Sequence, residues 1–243
     1  ADTMSIIINP YRFSSSGSWE FEEDFSTYST QSSANAVWVP IVTASHVSCE
    51  VDISNDYLKL VSLASTSKRY GSNTRSLTET DDTAFVLRYK HHWISSTMSG
   101  GNSSRYLLGV FSSNSSSNSG VAQDCIGLMS QLQATIKKYY ACAGDNTTTT
   151  TSDIKDHTFG TFTPTNNQDR YIETIRTSST SYTLDVFSDS DYSTNVDTSS
   201  NTCASTIVDL DYVGIKGNTG SGSSTQSYWI DDVKFANGVT VAP

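Results

Sequence analysis

Tyr228-Trp-Ile-Asp-Asp-Val-Lys-Phe235 sets two adjacent carboxylates inside a run of aromatic and aliphatic residues. Such a run is a strand signature. Strict alternation puts Trp229, Asp231, Val233 and Phe235 on one face, and Ile230, Asp232 and Lys234 on the other. With the aromatic face turned inward, Asp231 becomes a buried acid that must be met by donors or by a cation. The competing reading has one Asp capping a turn or accepting backbone N–H bonds at a β-bulge, where alternation slips by one residue. The two readings aim these side chains at opposite faces.

A second stretch, Trp19-Glu-Phe-Glu-Glu-Asp-Phe25, mirrors the first. Trp19, Phe21 and Phe25 share a face, and Glu23 shares it with them. Between these ends the apolar segments are short, β-branched or aromatic, and clusters of Ser, Asn, Asp, Gly and Thr separate them. Arg170–Phe187 reads as a hairpin about a short polar turn, with Tyr182, Leu184 and Val186 alternating with polar residues. Helix signals are almost absent. About eleven strands at this spacing indicate a two-sheet antiparallel sandwich. Residues 18–243 form one domain. Residues 1–17, with Ile6–Ile8 followed by Asn-Pro-Tyr-Arg-Phe and a Ser/Gly tract, read as an arm or an edge strand preceding it.

Composition supports a folded chain. Hydrophobic content is 36%, low for a globular protein, yet 13 Tyr and 4 Trp supply large buried area and argue against disorder. A net charge of −10 without any basic cluster would repel a phosphate backbone, so nucleic acid is not an expected partner. No run approaches a membrane span. Ser5–Asn9 is too short for a signal-peptide core, so no leader is expected within this sequence. None of the four cysteines sits in a C-x-x-C pair, which disfavours zinc. Cys125 and Cys142 lie equally far from a hairpin centre near Gln133 and are expected to bridge. Cys49–Cys203 is then the remaining pair, and four buried free thiols are the alternative.

Asp24-Phe25-Ser26, the run Tyr171–Ser193 and Tyr228–Val239 together resemble the concanavalin A-like lectin/glucanase superfamily. The nearest likeness is to its laminin-G-like jelly-roll modules in phage and marine archaeal surface proteins. The resemblance covers roughly residues 18–240, and its motifs are structural. It implies an all-β jelly roll whose first and last strands pair in the convex sheet. It also implies a structural Ca2+ on that side, with Asp231 or Asp232 as ligand and Asp24 or its neighbours Glu22 and Glu23 close by. Calcium takes six to eight oxygens. A hydrogen-bonded Asp at a bulge competes with this assignment.

The catalytic members of the superfamily place two glutamates and an aspartate on one strand as E-x-D-x-E or E-x-D-x-x-E, and a retaining mechanism needs carboxyls about 5–5.5 Å apart. No such triplet occurs here, and the short motifs of alginate lyases are absent as well. Adjacent His91 and His92 point to opposite faces of a strand and cannot share a metal. The chain is therefore expected to be non-catalytic. Sugar recognition combines aromatic surfaces with hydrogen-bonding groups. The strands at 84–93 and 134–142 hold the densest such set, with Arg88, Lys90 and His92 on one parity and Tyr89, His91 and Trp93 on the other. The candidate glycan residues are Arg88, His91, Trp93, Lys137, Tyr139 and Tyr140. One parity serving as core and the other as an ordinary wet sheet is the bland alternative. The expected role is a surface module of a virion or cell, extracellular, engaging glycan or copies of itself or other surface subunits. A purely structural assembly subunit and a polysaccharide-active hydrolase or lyase are the other candidates.

Overall fold

The structure, a computed structural model, describes residues 18–42, 47–63, 70–78, 83–97, 104–114, 123–133, 136–145, 155–158, 165–218 and 225–243. The predicted arm at 1–17 lies outside the described residues. Two antiparallel sheets face each other. The eight-stranded sheet runs β13 (Asn195–Thr202), β12 (Ser181–Phe187), β11 (Gln168–Ser178), β6 (Phe85–Thr97), β15 (Thr225–Asn237), β4 (Tyr57–Ser62) and β3 (Val47–Asp52), with β1 (Phe21–Glu23) also paired to β15. The seven-stranded sheet runs β10 (Lys155–Thr158), β9 (Ile136–Gly144), β8 (Cys125–Gln133), β7 (Ser104–Phe111), β14 (Tyr212–Asn218), β5 (Tyr70–Ser76) and β2 (Val39–Val42). The fold is the expected all-β sandwich.

One short helix, α1 (Gln31–Val37), begins at Thr30, whose side chain accepts from the Ser33 N–H while Ser33 closes a capping box. No described helix is long and apolar enough to cross a membrane.

β15 decides how the sandwich closes. Its first half pairs with β4, and its second half pairs with β1 through Phe21↔Phe235, Glu22↔Lys234 and Glu23↔Val233. Against β6, the register jumps from Asp231↔Lys90 to Lys234↔Arg88. Three steps on β15 thus match two on β6, which is a bulge of one extra residue. Asp232 takes the extra position in the left-handed region, φ 49°, where Asp is among the tolerated residues. Its N–H donates to Asp231 Oδ1 at 2.8 Å. Before the bulge Tyr228 and Ile230 are buried; after it Val233 and Phe235 are buried, and Asp232 and Lys234 are not. Strict alternation, which groups Trp229 and Asp231 with Phe235, is corrected: both acids and Trp229 lie on the outer face. A bulge lets two neighbouring carboxylates escape the core together.

Glu23 behaves differently. It is a buried acid, and its carboxylate accepts from Tyr28 Oη at 2.7 Å, Phe25 N at 3.0 Å, Trp38 Nε1 at 3.1 Å and Arg75 Nη1 at 3.2 Å. Arg75 sits on β5, so this ion pair ties the two sheets together at the chain's first strand.

The core lies between the sheets, where Leu87, Tyr89 and Trp93 of β6 cluster with Tyr106, Leu108, Leu128 and Tyr139, and His91 is buried against Tyr139. The seven-stranded sheet is buried on its other face too, by Leu107, Phe111, Cys125, Met129, Tyr140 and Cys142.

The expected disulfides do not form, and all four cysteines are buried free thiols. In the β8–β9 register Cys125 faces Gly144 and Cys142 faces Gly127. The two cysteines are diagonal neighbours, with Cα atoms about 7–8 Å apart, beyond the usual bridging range. Cys49 on β3 and Cys203 just after β13 belong to opposite edges of the eight-stranded sheet. Six strand spacings of about 4.8 Å put them roughly 29 Å apart.

Candidate functional site

The predicted glycan residues divide between three environments. His91, Trp93 and Tyr139 are within 1% of complete burial between the sheets. Tyr139 Oη hydrogen-bonds His91 Nδ1 at 2.6 Å, and burial pulls the His91 pKa down to about 3, leaving a neutral core imidazole. These three side chains have no surface to offer a sugar, and the assignment is corrected on that ground. Tyr140 packs on the outer face of the other sheet, among Met129 and Cys142. The Lys137 side chain lies outside the described residues. Arg88 alone of the set is on the outer face of the eight-stranded sheet. The wet parity of β6 is Arg88, Lys90 and His92.

That outer face carries a row of side chains reaching across five strands. Tyr57 of β4 stacks on Trp229 of β15, with centroids 5.0 Å apart and planes 8° from parallel. Trp229 stacks in turn on His92 of β6, at 4.6 Å and 5°. Because β4 and β6 flank β15, the indole is held between two rings, and its edge is what reaches solvent. A carboxylate closes each end. Asp52 of β3 stands opposite Tyr57 and hydrogen-bonds its hydroxyl; burial first and then this acid raise the phenol's pKa. Asp169 of β11 stands opposite His92 and contacts its Nδ1 at 2.5 Å.

Lys90 joins the row from the side, its Nζ 4.9 Å from the Trp229 ring centre and 3.2 Å from Asp169. Burial works against the Lys90 cation, but the Asp169 hydrogen bond and charge outweigh it and leave its pKa raised. Burial likewise works against the Asp169 anion, and its bonds from His92 and Lys90 prevail, holding it below the usual carboxylate range. The polar groups are therefore fixed in orientation before any ligand arrives.

Further along the same face, Arg88 donates to Glu173 Oε2 at 2.5 Å. The guanidinium lies 4.1 Å from the Tyr192 ring centre and 5.9 Å from that of Trp19. Tyr192 reaches over from the segment after β12, where Asp189 accepts the Ser193 and Thr194 N–H groups. Tyr171, opposite Lys90, packs edge-on against Tyr192. Aromatic rings and paired charges thus cross the sheet diagonally from Tyr57 to Tyr192.

The acids assigned to calcium line a cleft of about 270 Å³ between Glu22, Glu23, Asp24, Asp232 and Lys234. Three of these acids are already engaged. Glu22 accepts from Lys234 at 2.5 Å, Glu23 is met by its four donors, and Asp24 accepts the Ser26 N–H at 3.1 Å and its hydroxyl at 2.8 Å. Asp231 belongs to the outer face beside Trp229, and burial raises its pKa to about 6. Among the described residues no three His, Cys, Asp or Glu side chains converge to hold a metal. The residues present do not fit the calcium assignment, and the bulge accounts for the paired aspartates.

Tyr57, Trp229 and Asp169 were not among the predicted binding residues. The aromatic density of β6 leads to one strand of this row, but only its register with β15 and β11 shows which parity gathers the row.

No known family profile and no curated protein matches the sequence. Solved structures do match. The lectin UEA-II complexed with galactose superposes at TM-score 0.53 and 11% identity, covering 90% of this chain and 99% of that one. The potassium-bound carbohydrate recognition domain of Emp46p gives 0.53 and 10%, covering 91% and 100%. A conserved carbohydrate esterase from the Shiga toxin-encoding bacteriophage phi24B gives 0.52 and 12%, covering 92% and 100%. At such identities the likeness speaks for architecture, and it spans nearly the whole of each partner. This chain has the concanavalin A-like jelly-roll fold.

Proposed function

We propose that this chain is a non-catalytic carbohydrate-binding jelly-roll module displayed on a virion or cell surface, taking glycans across the outer face of its eight-stranded sheet. The observation that carries the reading is the Asp52–Tyr57–Trp229–His92–Asp169 row with Lys90 at its side. Partly exposed ring edges offer apolar contact, while oriented carboxylates and an ammonium supply acceptors and donors for hydroxyls, the mixture a sugar requires. Five strands at about 4.8 Å spacing give a strip roughly 19 Å long, suited to an oligosaccharide. The lectin and carbohydrate recognition domain that share the fold support the ligand class. The engaged state of Asp169 and Glu173, each held by a basic side chain, supports binding over acid–base catalysis.

A glycan array with the wild type and the Trp229→Ala and Tyr57→Ala variants tests this. Loss of at least tenfold in affinity in both variants, with circular dichroism unchanged, is expected. Absence of binding by the wild type on neutral and acidic glycans overturns the reading. Undiminished binding by both variants overturns the choice of face.

A further inference from the structure

Lys216 and Gln123 lie on the far side of the molecule from the proposed binding face, and glycan binding gives neither a role. Lysine is almost never fully buried unless it is paired with an acid. Lys216 of β14 is completely buried, and no carboxylate pairs with it among the described residues. Its contacts are neutral. Nζ donates to the Ser113 carbonyl and to Gln123 Oε1, the latter at 2.5 Å, and stands 4.5 Å from the Phe111 ring centre. Gln123, two residues before β8, is itself 1% exposed. Leu107, Phe111, Cys125 and Met129 make this face apolar. Register places Lys216 directly opposite Leu107 and Ser72 on the flanking strands, which fixes its backbone position on this face.

A primary amine and a primary carboxamide are thus held in contact where water does not reach. Such fixed proximity replaces a bimolecular encounter with an intramolecular one. Burial also pulls the Lys216 pKa down to about 7, so near neutral pH a large share of the amine carries a free lone pair.

We propose that Lys216 and Gln123 condense into an intramolecular isopeptide cross-link. The Nζ lone pair adds to Cδ of Gln123, the Cδ–Nε2 bond breaks, and Nε2 departs as ammonia, taking the proton that Nζ sheds. The product is a secondary amide joining Cδ to Nζ. Atoms and electrons balance without oxidant, cofactor or second substrate. The reaction removes a charge from an apolar interior, which is costly to hold there unpaired. It also leaves one N–H on the former amine for the Ser113 carbonyl. The link ties the segment before β8 to β14 and covalently fastens the polypeptide over this face of the sheet.

Mass spectrometry of the full chain decides the matter. Wild type, folded and held at pH 8, is expected to be lighter than its sequence by one ammonia. Digestion should release a branched peptide joining position 123 to position 216. The Lys216→Arg and Gln123→Leu variants should retain full mass and give only linear peptides. After refolding, the link should accumulate faster at pH 8 than at pH 6, following the neutral amine. Full mass in the folded wild type overturns the proposal whether or not the variants fold. An ammonia loss that persists in Lys216→Arg, or that maps elsewhere, overturns it as well.

Discussion

Deleting Asp232 discriminates sharply between a bulged and a regular last strand. In the bulged strand Asp232 is the extra residue, and β15 takes three steps where β6 takes two. Removing it makes the steps equal. Asp231 stays outside, Val233 follows it inward, and Lys234↔Arg88 and Phe21↔Phe235 remain paired. The deletion discards one residue in the left-handed region, a conformation that costs an ordinary L-residue about 1–2 kcal/mol and Asp somewhat less. It also gives up the local twist of the bulge, so the net change should stay within about 1 kcal/mol. In a regular strand the same deletion would turn Val233 and Phe235 outward. Both are within 1% of full burial, and exposing two such side chains costs about 3–6 kcal/mol. Lys234 deletion is the control. It leaves no register in which both Val233 and Phe235 face inward, and Phe235 also loses ring contacts to Phe21 and Phe85 worth about 0.5–1.5 kcal/mol each. Urea denaturation followed by tryptophan fluorescence and far-ultraviolet circular dichroism measures both variants. A loss above about 3 kcal/mol in the Asp232 deletion, comparable with the Lys234 deletion, would refute the bulge reasoning.

Glu23→Gln keeps the shape of the side chain but turns an amide N–H₂ toward groups that already donate. Loss of the buried partner of Arg75 should cost about 3–5 kcal/mol in the same urea assay, and a change below 1 kcal/mol would show that the four donors do not depend on the charge. Asp231 tests the sign of a raised pKa. Its folded value near 6 exceeds the ordinary 3.8, so the fold binds the proton more tightly than the unfolded chain does. This site's contribution to stability is full below pH 4, declines between about 4 and 6, and is unfavourable above 6. Asp231→Asn should stabilise the protein at pH 7 by about 1 kcal/mol, after discounting for solvent exposure, and leave it unchanged at pH 4; a loss at pH 7 contradicts the assignment. Thiol titration in denaturant should find four reactive groups without added reductant, and reductant should not move the thermal midpoint. Two or fewer thiols would restore the cross-linked alternative.

Much of the architecture is legible because apolar and aromatic side chains recur with period two in β3, β4, β6, β12 and β15. The strands that escape such a reading are those whose stability is borrowed. β5, Tyr-Gly-Ser-Asn-Thr-Arg-Ser, buries Ser72, Asn73 and Thr74 only because β14 and β2 flank it on both sides. β13, Asn-Val-Asp-Thr-Ser-Ser-Asn-Thr, is an edge strand held by β12 and carries little hydrophobic signal of its own. Lys216 was hidden for a related reason. A lysine that follows the apolar run Tyr212–Ile215 gives no sign that the neighbouring strands and the 112–114 segment will enclose it.

Composition and periodicity alone therefore establish an all-β sandwich whose two aromatic terminal strands each carry acids. They also narrow the candidate ligands, since an acidic chain with dispersed cations is a poor match for nucleic acid. Which acid is buried is settled only in three dimensions. Glu23 is enclosed because Arg75, Tyr28 and Trp38 converge on it from β5 and the α1 region, whereas Asp231 and Asp232 are released to the surface by one extra residue in β15. The face proposed for binding follows from the same event. Side-chain direction in a strand is a parity, and a parity read along the chain holds only as far as the next bulge. Trp229 meets Tyr57 and His92 across the outer face because hydrogen-bonded register, a property of neighbouring strands, carries it there.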